Sequence, residues 1–254
     1  MLSARQLKML TALQVKKYRQ RYQMFVLEGT KLVEELLDQQ RVRPCCIYGT
    51  STWAEQHSAL RKRAGKIFQL IAEEELRKVS SLVTPAGVLA VAQLPEFHPL
   101  HEGPAFYLDG IRDPGNLGTI LRIADWFGFS AVYCSLDCAD AFSPKVVQSS
   151  MGAILRIPVA EIPFTDLLPL VRSRAIVGAV LDGEDAFCTP LPSNALLVIG
   201  NESVGIRPEI AQYLTHRLTI TRATNSRAES LNAAVAAGIL AALLVANARK
   251  KTLP

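Results

Sequence analysis

The chain has 254 residues, 49% of them hydrophobic and 20% charged, which admits one large domain or two modest ones and excludes a disordered chain. No run of eighteen apolar residues occurs: Ala233 to Ala246 is too short and too alanine-rich to span a bilayer, and Arg5 and Lys8 interrupt any signal-peptide core. The net charge of +5 is uneven, +8 over residues 1–66 and −3 over the remainder, so a basic module that suits a polyanion, or a basic face kept for solubility, precedes a near-neutral one.

Leu7, Leu10 and Leu13 recur at helical spacing behind Ser3, a residue that caps helices. Lys16, Lys17, Arg19 and Arg21 then surround Tyr18 and Tyr22. Cations bind phosphates and tyrosines stack on bases, so this stretch suits RNA. Phe25 to Leu27 predicts a strand, Lys31 to Leu37 a helix, Cys45 to Tyr48 a strand, and 53–64 a helix. A strand at 67–71, a helix at 73–79 and a strand at 88–93 complete a small α/β domain over residues 1–94. Residues 95–104 hold three prolines without periodicity and read as a linker.

The pattern restarts with strands at 105–109 and 131–134 and helices at 117–127 and 144–151. Strands at 175–180, 196–199 and 217–221 follow, then a long apolar helix at 231–247. Strands that are apolar along their whole length and alternate with helices predict a parallel sheet covered on both faces, over residues 105–254. The five cysteines form no CxxC pair, which argues for reduced cytoplasmic thiols and against a disulfide framework or a zinc site. Asn201-Glu202-Ser203 spells a glycosylation sequon, a coincidence in a cytoplasmic protein.

Three segments concentrate polar residues at ends of predicted strands or helices. The first, Asp109 to Ala124, is a Gly/Pro-rich strand-to-helix turn carrying Asn116 and Arg122. Such a turn at the carboxyl end of a parallel strand is where α/β proteins place ligands. Its glycines fit neither the dinucleotide fingerprint nor the phosphate loop, which counts against a nucleotide enzyme on a Rossmann-like sheet. The second, Leu196 to Ile206, ends a buried strand in Gly200-Asn201-Glu202. The third joins Ile220-Thr221-Arg222 to Ser230-Leu231-Asn232, with Ser230 the expected cap of the last helix.

In this order, Asn116-x-Gly118-x-x-x-Arg122-x-Ala124, Gly200-Asn201-Glu202-x-x-Gly205 and Ser230-Leu231-Asn232 before a helix of small residues resemble the SpoU/TrmH family of RNA ribose 2′-O-methyltransferases. The stretch through Arg19 and Phe25 to Lys31 resembles that family's substrate-binding domain. The resemblance implies a ribosomal-protein-like N-terminal domain that binds RNA, through Lys16, Lys17, Arg19, Arg21 and Lys31. It also implies a C-terminal α/β methyltransferase domain with a trefoil knot. The cofactor implied is S-adenosylmethionine, held by main chain around Gly200, Ile220 and Leu231 with Asn201 and Val180 beside them. Arg122 is the implied catalytic arginine, joined by Asn116, Glu202, Ser230 and Asn232, and Glu202 could pair with Arg122 and fix its rotamer. The implied partners are RNA, ribosomal before transfer RNA, and a second copy of the chain, with neither metal nor membrane. The alternatives are a tRNA 2′-O-methyltransferase and a non-catalytic RNA-binding protein. Two positions depart from the family pattern: Thr221-Arg222 stands where Pro-Met is usual, and Ser143 where asparagine is frequent.

Overall fold

A computed structural model describes residues 1–97, 103–171 and 173–252, with side chains through Ala248. In chain order the elements are α1 (Ala4–Ala12), α2 (Lys16–Tyr22), β1 (Met24–Glu28), α3 (Thr30–Asp38), β2 (Pro44–Gly49), α4 (Ser51–Gln56) and α5 (Ser58–Ala64). Next come β3 (Phe68–Leu70), α6 (Glu73–Val79), β4 (Val88–Gln93), β5 (Ala105–Asp109), α7 (Pro114–Phe127), β6 (Ala131–Cys134), α8 (Pro144–Ser149) and α9 (Ala153–Arg156). The remainder are β7 (Val159–Glu161), α10 (Phe164–Val171), β8 (Ile176–Asp185), β9 (Leu196–Gly200), α11 (Pro208–Ala211), β10 (His216–Thr219) and α12 (Ala233–Thr252).

The chain forms two compact units, Met1–Glu96 with Asp140–Arg156, and Phe97–Ala139 with the chain from Ile157 onward. This differs from the expected division, which kept 105–254 together. Segment 140–156 joins the first unit because its side chains are spent there. Phe142 packs edge-on against Phe25 at 5.0 Å, Asp140 pairs with Arg19, and Arg41 donates to the carbonyls of Ile154 and Leu155. Residues 98–102 of the expected linker lie outside the described residues.

The first unit holds a four-stranded sheet in the order β1-β4-β2-β3, antiparallel except for β2 and β3. Ser3 caps α1 in a reciprocal pair with Gln6, and Leu10 and Leu13 meet Val26, Tyr48, Leu76 and Val91 in one core. The expected helix over 53–64 is two helices, because His57 adopts a non-helical conformation between α4 and α5.

The second unit is an α/β structure built on a six-stranded parallel sheet, ordered β10-β8-β9-β5-β6-β7. β5 and β6 are buried at every position, as a sheet covered on both faces requires. Tyr107, Tyr133 and Val198 face a cluster with Phe164, Leu167 and Ile210. α12 lies against α7 and β9, with Ala237, Leu240, Ala241 and Leu244 buried. β7, α10 and α11 have no counterpart among the predicted elements. β8 runs five residues past its predicted end: β10 pairs with Val177 and Gly178, then with Glu184 and Asp185, so 179–183 bulge out of the ladder. Gly183 permits this closure, since a Cβ there would lie 2.4 Å from the Arg217 carbonyl oxygen.

Candidate active site

The strand order reverses between β5 and β9. In open parallel sheets the crevice outside the carboxyl ends of such a pair is where ligands bind. Beyond β5, Asp113 caps α7, its Oδ1 accepting from the Asn116 N–H at 2.7 Å, and Pro114 takes the first helical position. The helix therefore starts three residues before its predicted 117, and Asn116 sits on its first turn. Beyond β9 the chain folds straight back. A Cβ at Gly200 would lie 2.3 Å from the Gly205 carbonyl carbon, and Asn201 and Gly205 exchange backbone hydrogen bonds of 3.1 and 2.8 Å. Glycine alone allows this approach.

One residue from each of the three segments meets here. Asn116 donates from Nδ2 to the Glu202 carboxylate. Asn232 donates from its own Nδ2 to Asn116 Oδ1 at 2.9 Å. Asn232 Oδ1 accepts from the backbone N–H groups of Ala234 at 2.9 Å and Val235 at 3.3 Å. Asn232, not Ser230, is thus the cap of α12, which begins at 233 rather than 231. Ser230 is exposed two residues before it. A Glu202–Arg122 pair is also absent, because the Glu202 carboxylate is taken by Asn116. Arg122 is exposed on α7 and makes no hydrogen bond or ion pair among the described residues. Replacing Asn232 with alanine is expected to lower unfolding free energy by about 1 kcal/mol, with aspartate recovering most of it, as read by chemical denaturation.

The positions expected to hold an adenosyl group follow strand ends. Val180 lies in the bulged part of β8, Gly200 closes β9, and Ile220 follows β10, so all three belong to neighbouring parallel strands. Thr219 Oγ1 donates to the Leu181 carbonyl at 3.4 Å, tying the bulge to the end of β10. Leu181, in the bulged part of β8, and Leu231, just before α12, are exposed apolar side chains. The Asn201 side chain is engaged within the protein. Its Nδ2 donates to the Gly110 carbonyl at 2.8 Å, and its Oδ1 accepts from the N–H groups of Ser203 and Val204.

In the first unit, Lys17, Arg21 and Lys31 are exposed and Lys16 half-buried. The rings of Tyr18 and Tyr22 stack at 6.4 Å. Arg19 departs from expectation: it is 3% exposed, its Nη1 donates to the Leu13 carbonyl at 2.7 Å, and its Nη2 pairs with Asp140 at 2.5 Å. It is an internal brace rather than a surface cation.

A second polar cluster, outside the site residues expected from sequence, surrounds Asp109. The Asp109 carboxylate, 1% exposed, accepts from the Arg207 backbone N–H at 2.8 Å and from Arg207 Nε at 2.6 Å. This hydrogen bond raises the guanidinium pKa further above its ordinary value. Arg207 Nη2 lies 3.4 Å from Asp137 Oδ1, which also accepts from Ser135 Oγ at 2.7 Å. The Ser135 bond holds the Asp137 carboxyl below its usual range. Nearby, hydrogen bonding led by Cys134 pulls the Cys138 thiol down to about 7. A carboxylate ending a fully apolar strand was the one available signal for this cluster. Among the described residues, no group of three or more His, Cys, Asp or Glu side chains is arranged to hold a metal ion.

Comparison with known proteins places these features in context. Residues 104–242 match the model of the SpoU rRNA Methylase family, and residues 4–90 match the MRM3-like substrate binding domain. The chain is 30% identical to the 23S rRNA (guanosine(2553)-2'-O)-methyltransferase RlmP of Bacillus subtilis, over 90% of this chain and 91% of that protein. It superposes with a TM-score of 0.85 and 41% identity on a putative RNA methyltransferase of the TrmH family from Porphyromonas gingivalis, covering 96% of this chain and 98% of the other. The AdoMet-bound rRNA methyltransferase from Sinorhizobium meliloti gives a TM-score of 0.82 at 28% identity, covering 100% of this chain and 98% of that one.

Proposed function

The chain belongs to the SpoU rRNA Methylase family, and from that premise we propose that it transfers the methyl group of S-adenosylmethionine to a ribose 2′-hydroxyl of ribosomal RNA. The observation that carries the site assignment is the hydrogen-bonded trio Asn116, Glu202 and Asn232. It joins residues 116 positions apart in sequence at the sheet's crevice.

Bound S-adenosylmethionine supplies a sulfonium methyl group open to displacement by an oxygen nucleophile. The main chain at Gly200, Ile220 and Leu231, with Val180 beside it, suits this group. Leu181, next to Val180, and Leu231 are exposed, as apolar cover for an adenine. Arg122 extends an uncommitted guanidinium from α7. Its planar guanidinium presents several donors in a fixed fork, so we assign it to orienting the ribose hydroxyl and the adjacent phosphate, with the proton leaving to phosphate or water. Asn116 is held at both ends of its amide, which fixes its geometry before substrate arrives. We assign Ser230, exposed beside Leu231, to contact with the ribose.

Lys16, Lys17, Arg21 and Lys31 form the phosphate-binding surface of the first unit, and Tyr18 with Tyr22 offers a base-stacking pair. Removing Lys17 and Arg21 together is expected to flatten the log–log salt dependence of RNA binding by about 1.4 to 1.8, as measured by titration at several salt concentrations. We further propose a trefoil knot in the second unit. After β9 the chain runs to the sheet edge as β10 and returns as α12 onto α7 and β9, a path that suits threading. A second copy of the chain is proposed to cover Trp126 on α7, which is 84% exposed, and Val235 on α12. A scattering mass of one chain at working concentration would sink that dimer.

The deciding experiment is transfer of labelled methyl from S-adenosylmethionine to unmodified total RNA, mapped by nucleotide. Label at one or a few ribosomal 2′-hydroxyls is expected. Label confined to tRNA would move the substrate, and RNA binding without cofactor binding would leave a non-catalytic RNA-binding protein.

A further inference from the structure

A cleft of about 370 Å³ is lined in part by Asn201, Ser203 and Val204, of the same loop that carries Glu202. Its walls include Gly110, Arg112, Asp137, Val204 and Arg207, none of which the methyl-transfer trio uses. The walls are held in place. Asn201 ties the loop over 201–205 to the Gly110 carbonyl, and Arg207 is fixed by the buried Asp109. Against these fixed groups three others remain available. Val204 exposes 73% of its surface at the cleft. Asp137 keeps Oδ2 engaged only by a long 3.4 Å contact with Arg112 Nη2. Arg112, with 74% of its side chain exposed, makes no other ion pair or hydrogen bond among the described residues.

The two arginines are matched by Asp109 and Asp137, and Glu209 brings a further carboxylate within 3.7 Å of Arg207 Nε, so the cleft is not built for a bare phosphate. It offers instead a carboxylate acceptor, a guanidinium donor and an apolar face. Among the four RNA bases, only guanine presents two adjacent donors, N1–H and the N2 amino group, next to the O6 acceptor. We propose that this cleft reads an unpaired guanine of the RNA substrate: Asp137 accepts from N1 and N2, Arg112 donates to O6, and Val204 covers the ring. Bases splayed out of RNA are recognised in this way, on their Watson–Crick edge and against a side chain that covers the face. The inference rests on the methyltransferase reading above. Glu202 and the cleft wall at Asn201 and Ser203 are consecutive residues, so the guanine lies at or beside the methylated nucleotide.

The test uses the full chain and a ribosomal RNA fragment spanning the mapped methylation site. Each guanine near that site is replaced singly by adenine. For the wild type, one replacement is expected to lower kcat/KM roughly 10- to 100-fold, the discrimination typical of a paired base contact. In Asp137→Asn that guanine preference is expected to shrink to about two-fold or less. Arg112→Gln, at an exposed position, is expected to shrink it as well. Indifference of the wild type to every nearby guanine would overturn the cleft assignment while leaving methyl transfer intact. So would an unaltered preference in both variants. No methyl transfer by the wild type to any RNA would overturn the functional reading itself.

Discussion

Arg122→Ala is expected to lower methyl transfer by about two to three orders of magnitude, the loss typical when one preorganised charged donor leaves a reacting centre. The melting temperature and the affinity for S-adenosylmethionine should stay at wild-type values. Arg122 is exposed and makes no hydrogen bond or ion pair among the described residues, so its removal leaves no buried partner behind. The defect should therefore appear in kcat/KM without a folding defect. Arg122→Lys keeps the charge but loses the planar fork, and a lysine cannot hold a hydroxyl and a phosphate oxygen in one plane. Partial recovery, well below wild type, is expected. Full transfer by Arg122→Ala in a labelled-methyl assay would remove this arginine from the site.

The largest expected effect on stability lies in the first unit. Arg19→Met should cost about 3 to 5 kcal/mol of unfolding free energy, the usual loss when one partner of a buried ion pair is removed. Asp140, whose side chain is 18% exposed, would lose its 2.5 Å partner. The Leu13 carbonyl would lose its donor. Arg19 Nε is buried without a hydrogen-bond partner among the described residues, so the pair is held at a cost. The double variant Arg19→Met with Asp140→Leu should recover part of the loss, because it leaves neither charge uncompensated, while the Leu13 carbonyl and the Phe142 N–H stay without their partners. Denaturant titration of the single and double variants measures both. An Arg19→Met protein as stable as wild type would show that the brace contributes nothing. The same experiment separates Arg19 from its neighbours: Lys17→Ala should weaken RNA binding without changing stability.

Local chemistry made much of the chain legible. The β5 and β6 segments lie where their unbroken apolar runs place them, because a strand buried in a parallel sheet needs such a run and little else does; β4 and α6 also keep their expected bounds. Ser3 as the cap of α1 was visible for the same reason, since capping acts within three residues. The elements that were missed lack such local signals. β7 is three residues long, and α10 carries Pro169 inside it. His57 splits α4 from α5 through its backbone conformation, which no spacing of apolar residues announces.

The candidate site divides along the same line. Asn116, Glu202 and Asn232 stood out in the sequence as polar residues at strand and helix ends. Their order along the chain, together with Arg122, carries the resemblance to the SpoU/TrmH family without any contact between them. Which of them touch was decided by the tertiary structure. Glu202 met Asn116 rather than Arg122, and Asn232 rather than Ser230 capped the last helix while reaching Asn116. Arg19 illustrates the same point in the first unit. It stands among surface cations in sequence, yet it is buried by a carboxylate 121 residues away. Composition and periodicity report what each residue prefers and what its near neighbours allow, and so they determined the two-part α/β organisation and the chemistry available to it. Pairing of charges and amides across long loops depends on which strands lie side by side, and that depends on packing the whole chain at once.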